Sequence, residues 1–146
     1  MSSQRPAPSP LRGSGALSFL GLTALGAGAV GLLATVSPEQ SGNYPTCPFL
    51  AVTGHWCPGC GTLRTIHALA VGDPVTALDR NPLTVALLPL LALAWAGWGL
   101  RVAGRASGWR LHPTRVPAPA VWGLVALIVA FWVTRNIPGW TWLSPA

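Results

Sequence analysis

The chain has 146 residues, 51% of them hydrophobic and only 8% charged, with a mean hydropathy of +0.48. A soluble domain carries about a quarter charged residues because its surface must face water, so the composition points to lipid as the surrounding medium. The nine basic residues, all arginine, outnumber three acids for a formal charge of +6; they flank apolar runs, which fits phospholipid headgroups and topology signals and argues against nucleic acid.

Residues 1–15, MSSQRPAPSPLRGSG, are rich in Ser, Pro and Arg with no apolar period and are predicted to be a disordered tail. Residues 16–36 carry no charge. A helix of about 20 residues rises about 30 Å, enough to cross the hydrocarbon core. The competing reading is a secretory signal, whose apolar region is only about 7–15 residues and ends in a small-x-small site. This run is longer and continues into ATVSPEQ, so it is read as an uncleaved anchor. Within it Ala24 and Gly28, and Ala27 and Gly31, stand four apart. Such small residues allow close helix approach in lipid, offering a face to the other spans, to a second copy or to another membrane protein.

Residues 37–81 form the first loop. The pattern Leu63, Ile66, Ala70 marks one apolar face of a short helix, which Gly72 closes by accepting a left-handed conformation. Asp73-Pro74 then serves as cap and first residue of a second short helix. Both are expected to lie in the membrane interface or dip into it. Asn81-Pro82 starts the second span, residues 82–100, by the same cap chemistry. Pro89 should kink it, a break tolerated where neighbours satisfy the freed carbonyl. Residues 101–115 make a linker holding Arg101, Arg105, Arg110 and Arg115. The third span is residues 116–134, followed by a short tail, 135–146.

Counting arginines orients the chain. The N-terminal tail and the basic linker belong in the cytoplasm under the positive-inside rule. The first loop and the C-terminal tail then face outward from a multi-pass cell-membrane protein. Trp140 and Trp142 suit the outer interface, and Trp95, Trp98 and Trp109 the inner one.

The first loop also gathers all three cysteines, and three readings of them compete. Cys57-Pro-Gly-Cys60 has the spacing of a dithiol that cycles with a disulfide. Cys57 at a helix start would then attack and Cys60 resolve. Alternatively, Cys57 and Cys60 form a metal knuckle, with Cys47 ten residues earlier and His67 seven later completing a Cys3His set for zinc or another transition metal. Thirdly, the thiols simply pack beneath a tight turn shaped by Pro58, Gly59 and Gly61. A thioredoxin-like enzyme needs a βαβ context that this chain lacks, whereas an outward compartment favours disulfides over free thiols. Arg64 and His67, three apart, share one side of the helix and form a polar pair aimed at the cysteines or at a lipid phosphate.

The pieces Cys47-Pro48-Phe49, Cys57-Pro58-Gly59-Cys60-Gly61, Arg64, His67, Gly72-Asp73 and Asn81-Pro82 together resemble domain-of-unknown-function family 2752, small bacterial integral membrane proteins. The resemblance covers about a third of the chain, from Cys47 to the end of the second span. It implies membrane residence and singles out Cys47, Cys57, Cys60, Arg64 and His67, but carries no activity with it. The order Thr62-Leu63 departs from the Leu-Thr expected of relatives, which turns the apolar residue by one helical position.

The expected fold is therefore an all-α membrane protein with three transmembrane helices and one or two short interfacial or re-entrant helices in the first loop. The function expected is non-catalytic, with a Cys/His/Arg loop organised by a metal or a disulfide in an accessory subunit of a membrane assembly. The alternative is a membrane thiol–disulfide oxidoreductase using Cys57 and Cys60. No acid lies inside any span, which argues against a transport path.

Overall fold

The computed structural model describes residues 11–40, 42–104, 117–139 and 143. The expectations for residues 1–10, for most of the basic linker, and for Trp109, Trp140 and Trp142 lie outside them. Six helices follow in order: α1 (Leu11–Thr35), α2 (Pro48–Thr53), α3 (Thr62–Ala70), α4 (Pro74–Arg80), α5 (Pro82–Val102) and α6 (Ala118–Arg135). There is no strand among the described residues. Helices α1, α5 and α6 are each long and apolar enough to cross a bilayer, the architecture of a multi-pass membrane protein. Helix α1 starts at Leu11, inside the stretch read as tail, because no proline follows Pro10 to stop the helix from extending past the hydrocarbon. Helix α5 runs unbroken through Pro89.

Three short helices, not one or two, connect the first two spans. The additional one, α2, is six residues long: Pro48 supplies its pre-set first turn, and Gly54 closes it with φ 69°. The caps read from sequence hold. Asp73 accepts the Thr76 amide at 3.0 Å and the Thr76 hydroxyl at 2.6 Å. Gly72, at φ 84°, lets the Asp73 amide reach back to the Ala68 carbonyl at 2.8 Å and end α3.

The buried face of α3 differs from expectation. Thr65 and Ala68 are the buried residues, whereas Leu63 is 43% exposed and Ala70 is also exposed. The cause is close packing of α3 on α4, where Thr65, Ala68 and the fully buried Ala77 let the backbones approach. The Thr65 hydroxyl donates to the Ala77 carbonyl at 3.3 Å. In lipid the large apolar side chains gain nothing by turning inward.

Helices α1 and α5 meet at the end remote from the cysteines through an aromatic cluster. Phe19 lies 5.7 Å from Trp95 and 5.2 Å from Trp98 by ring centroids, and the Trp95 indole donates to Thr23 at 3.1 Å. Both tryptophans thus pack the helix pair at the position where interfacial anchoring was expected. The small residues of α1 do not: an added Cβ at Gly26, Gly28 or Gly31 meets nothing within 4 Å. Helix α6 packs along neither α1 nor α5 to any extent and is tied to the rest at its C-terminal end. There Phe49 of α2 meets Trp132 edge to face at 6.0 Å.

Candidate metal centre

The Cys57–Cys60 turn closes through the Cys60 amide on the Cys57 carbonyl at 3.1 Å, with Pro58 in the position whose φ it pre-sets. Gly61 follows at φ 86°, a left-handed conformation that glycine adopts without cost, and sends the chain into α3. Cys47 stands at the N-cap of α2. These three separate placements converge: the Cys57 and Cys60 Sγ atoms are 3.0 Å apart and those of Cys47 and Cys57 3.5 Å apart. All three sulfurs lie within 4.8 Å of one another and none is in a disulfide. Metal–sulfur bonds of about 2.3 Å put the sulfurs around a tetrahedral ion about 3.8 Å apart, so the spacing of this group is within about an ångström of what one ion requires.

Two spans hold the turn from beneath. Asn81, fully buried, caps α5 by accepting the Thr84 amide at 3.0 Å. Its side-chain amide also donates to the Pro58 carbonyl at 2.9 Å and to the Cys60 carbonyl at 3.1 Å. Arg135, at the end of α6 and 2% exposed, reaches the Cys57 and Pro58 carbonyls at 3.4 Å each and the Arg80 carbonyl at 3.3 Å. The neighbouring Asn136 pairs with the Trp56 backbone as a strand would, accepting its amide at 2.8 Å and donating to its carbonyl at 2.9 Å.

The thiols are not equivalent. Burial, reinforced by the hydrogen bond with Cys57, pushes Cys60 up to about 12. The Leu50 backbone amide holds Cys47 below the ordinary thiol value. A metal-free site therefore keeps its buried thiol protonated, and full ionisation of the set calls for a cation among the sulfurs.

The residues singled out from sequence separate in space. Cys47, Cys57 and Cys60 come together, but His67 is not in the group. Its Nδ1 donates to the Leu33 carbonyl of α1 at 2.6 Å, fastening α3 to the first span. Arg64 lies on the wall of a half-enclosed cavity of about 420 Å³ that Cys47 and Cys60 also line. Asp73 serves its own helix cap, and the hydroxyl and amide of Thr76 hold its carboxyl below the usual range. Asn81 is both the cap expected and an unexpected clasp on the cysteine turn. Arg135 and Asn136 were missed; an Arg-Asn pair directly after an apolar run was the available signal.

Residues 47–95 match the family model described as Protein of unknown function (DUF2752), and over that segment the resemblance is borne out. Arg135 and Asn136 fall outside it. No curated protein and no solved structure matches the chain.

Proposed function

We propose that this small membrane protein binds a thiophilic metal ion, zinc or another transition metal, through Cys47, Cys57 and Cys60. The observation that carries the reading is the convergence of three sulfurs, from two separate turns, within 4.8 Å. Thiolates are soft donors and select ions such as zinc and copper(I). Nothing in the reading requires a turnover: the ion organises the loop, and the loop gathers the ends of all three spans. The chain then serves as an accessory subunit, with the small-residue face of α1 turned to a second copy or another membrane protein. In the orientation proposed, the tail with Arg5 and Arg12 and the linker arginines lie in the cytoplasm, and the cysteine loop lies outside the cell membrane. Arg80 and Arg135 do not oppose this, since Arg80 pairs with Glu39 at 3.0 Å and Arg135 is consumed by backbone carbonyls.

The test is metal analysis of the full chain purified in detergent without chelator. A stoichiometric ion, lost in Cys57→Ser and Cys60→Ser variants that still fold, is the expected result. Metal-free protein that also fails to take up zinc or copper(I) after reduction would sink the reading.

A second reading is thiol–disulfide exchange, favoured by the 3.0 Å separation of the Cys57 and Cys60 sulfurs. Here the high value of Cys60 makes it the thiol that reacts last. An intact mass two hydrogens short, surviving denaturation, would support this reading against the metal.

A further inference from the structure

A cation buried in a membrane protein is costly unless an opposite charge meets it, and such a residue marks a functional site by default. Arg135 ends α6 and is 2% exposed. Its terminal nitrogens donate to the carbonyls of Cys57 and Pro58 at 3.4 Å each and of Arg80 at 3.3 Å. The Phe131 ring centroid lies 5.2 Å from the guanidinium carbon. Its buried Nε meets no acceptor. Carbonyl dipoles and a ring face solvate a positive charge but do not cancel it. Among the described residues no carboxylate pairs with Arg135; the ion pair formed is Arg80 with Glu39. Arg64 is partly exposed and has a partner of its own. The groups whose charge reaches Arg135 are Cys60 and Cys57, and Cys57 is the residue whose own carbonyl the guanidinium touches.

We infer that Arg135 is the counter-charge of the cysteine site, and that the ion this site is built for is divalent. The inference rests on the proposed metal site. Three bound thiolates carry three negative charges; the guanidinium returns one, and a divalent ion balances the other two. A water molecule as fourth ligand leaves that sum unchanged. A monovalent ion reaches neutrality only by leaving one cysteine protonated, and a trivalent ion exceeds it. Burial leaves little water beside the guanidinium to screen a mismatch. Arg135 is thus a positioning residue that acts through its charge as well as through its hydrogen bonds to the turn.

The experiment compares two ligands of the same three sulfurs that leave different charges behind. Arsenite, an uncharged acid at neutral pH, condenses with three thiols to an uncharged trithiolate, its three hydroxyls leaving as water with the thiol protons. Cadmium, a spectroscopic stand-in for zinc, displaces the thiol protons and leaves a complex with one negative charge. Whatever the protonation of the empty site, only the cadmium complex has a charge for Arg135 to meet. Each is titrated into the full-length chain in detergent, reduced with a thiol-free phosphine, and read from its ultraviolet sulfur-to-metal absorption. The ratio of cadmium to arsenite affinity should fall roughly tenfold or more in Arg135→Gln. In Arg135→Lys, which keeps the charge with fewer donors, it should fall by less than about threefold. A guanidinium that only holds the turn would weaken both ligands alike. Equal weakening in Arg135→Gln, loss of both ligands included, would therefore overturn the counter-charge, as would a ratio that falls equally far in Arg135→Lys. Wild-type protein that binds neither ligand would end the metal reading itself. A purified chain that carries copper(I), or takes arsenite but no cadmium, would overturn the divalent ion.

Discussion

Arg135 is the residue whose loss should reveal most about the site. Replacement by methionine keeps an unbranched apolar stem and removes the guanidinium with its five donors. Three carbonyls lose a partner, with unequal consequences. The Cys57 carbonyl keeps the Cys60 amide, and the Pro58 carbonyl keeps Asn81. The Arg80 carbonyl, at the last residue of α4, loses its guanidinium donor. Stranding one buried acceptor costs about 1–3 kcal/mol. The relieved cost of burying a charge offsets part of any larger sum. We take about 2 kcal/mol as the weakening of the attachment between α6 and the cysteine turn, which is about a thirtyfold rise in the locally open population. The assay follows alkylation of Cys60, the buried thiol, in chains whose Cys47 and Cys57 are replaced by serine. Native detergent conditions with excess reagent make the rate report opening. Arg135→Met should accelerate the reaction by that factor, and Arg135→Lys by less, since one ammonium cannot span the carbonyls on both sides. A rate unchanged within twofold would refute the reasoning, because it would mean that Asn81 and Asn136 hold the turn without the guanidinium.

Asn81→Ala removes the α5 cap and both donors to the cysteine turn, and should lower the thermal midpoint in detergent by an amount equivalent to about 2–3 kcal/mol, with weaker zinc uptake. In Gly99→Ala the new methyl group lies 2.8 Å from Phe19 Cζ. The ring must tilt against Trp95 and Trp98 at a cost of about 1 kcal/mol, read as a lower unfolding midpoint by tryptophan fluorescence, and Phe19→Leu should remove the penalty. In metal-free reduced protein, Cys47 has its thiol value lowered and so ionises at lower pH than a free thiol, while Cys60 ionises only near 12. Alkylation near pH 9 followed by peptide mass mapping should therefore label Cys47 ahead of Cys60, and reversal of that order would contradict the assignment. His67→Gln should loosen α3 from α1, seen as a reduced midpoint, without changing zinc stoichiometry.

The sequence made legible whatever depends on local chemistry or on the solvent. Three uncharged runs near the bilayer length became α1, α5 and α6 because nothing but lipid satisfies such surfaces. Asp73, Asn81 and Gly72 worked as caps because their chemistry acts within one turn of helix. The cysteines converged as their concentration in one loop suggested. What escaped was long-range. His67 shares a helix with Arg64 but serves the backbone of α1, a contact 34 residues away in sequence. Arg135 meets the Cys57 carbonyl across 78 residues. An apolar period on α3 could not reveal its buried face either, since in lipid the side that packs is the one with small residues.

Polar clasps matter more in this chain than an apolar core would. Among the described residues the largest fully buried side chains are Arg135, Asn81 and Thr65, and each of them bonds to a backbone carbonyl of another segment. Lipid and protein interior are nearly equivalent for leucine, so burial of apolar area does little to choose one arrangement of three spans over another. A backbone carbonyl without water has no such indifference. The turn from Trp56 to Cys60 is irregular, and its carbonyls at Trp56, Cys57, Pro58 and Cys60 are met by Asn136, Arg135 and Asn81. Those three residues belong to α5 and α6 or their ends, while His67 ties the following helix to α1. Among the described residues the cysteine turn is therefore where the ends of α5 and α6 meet, and the sulfurs sit on backbone that those ends hold. The dependence runs both ways: an ion that fixes the sulfurs also fixes the ends of the spans. Occupancy of the site should accordingly raise the unfolding midpoint of the whole chain, and in Arg135→Met, where only Asn136 still ties the end of α6 to the turn, zinc should give a smaller rise.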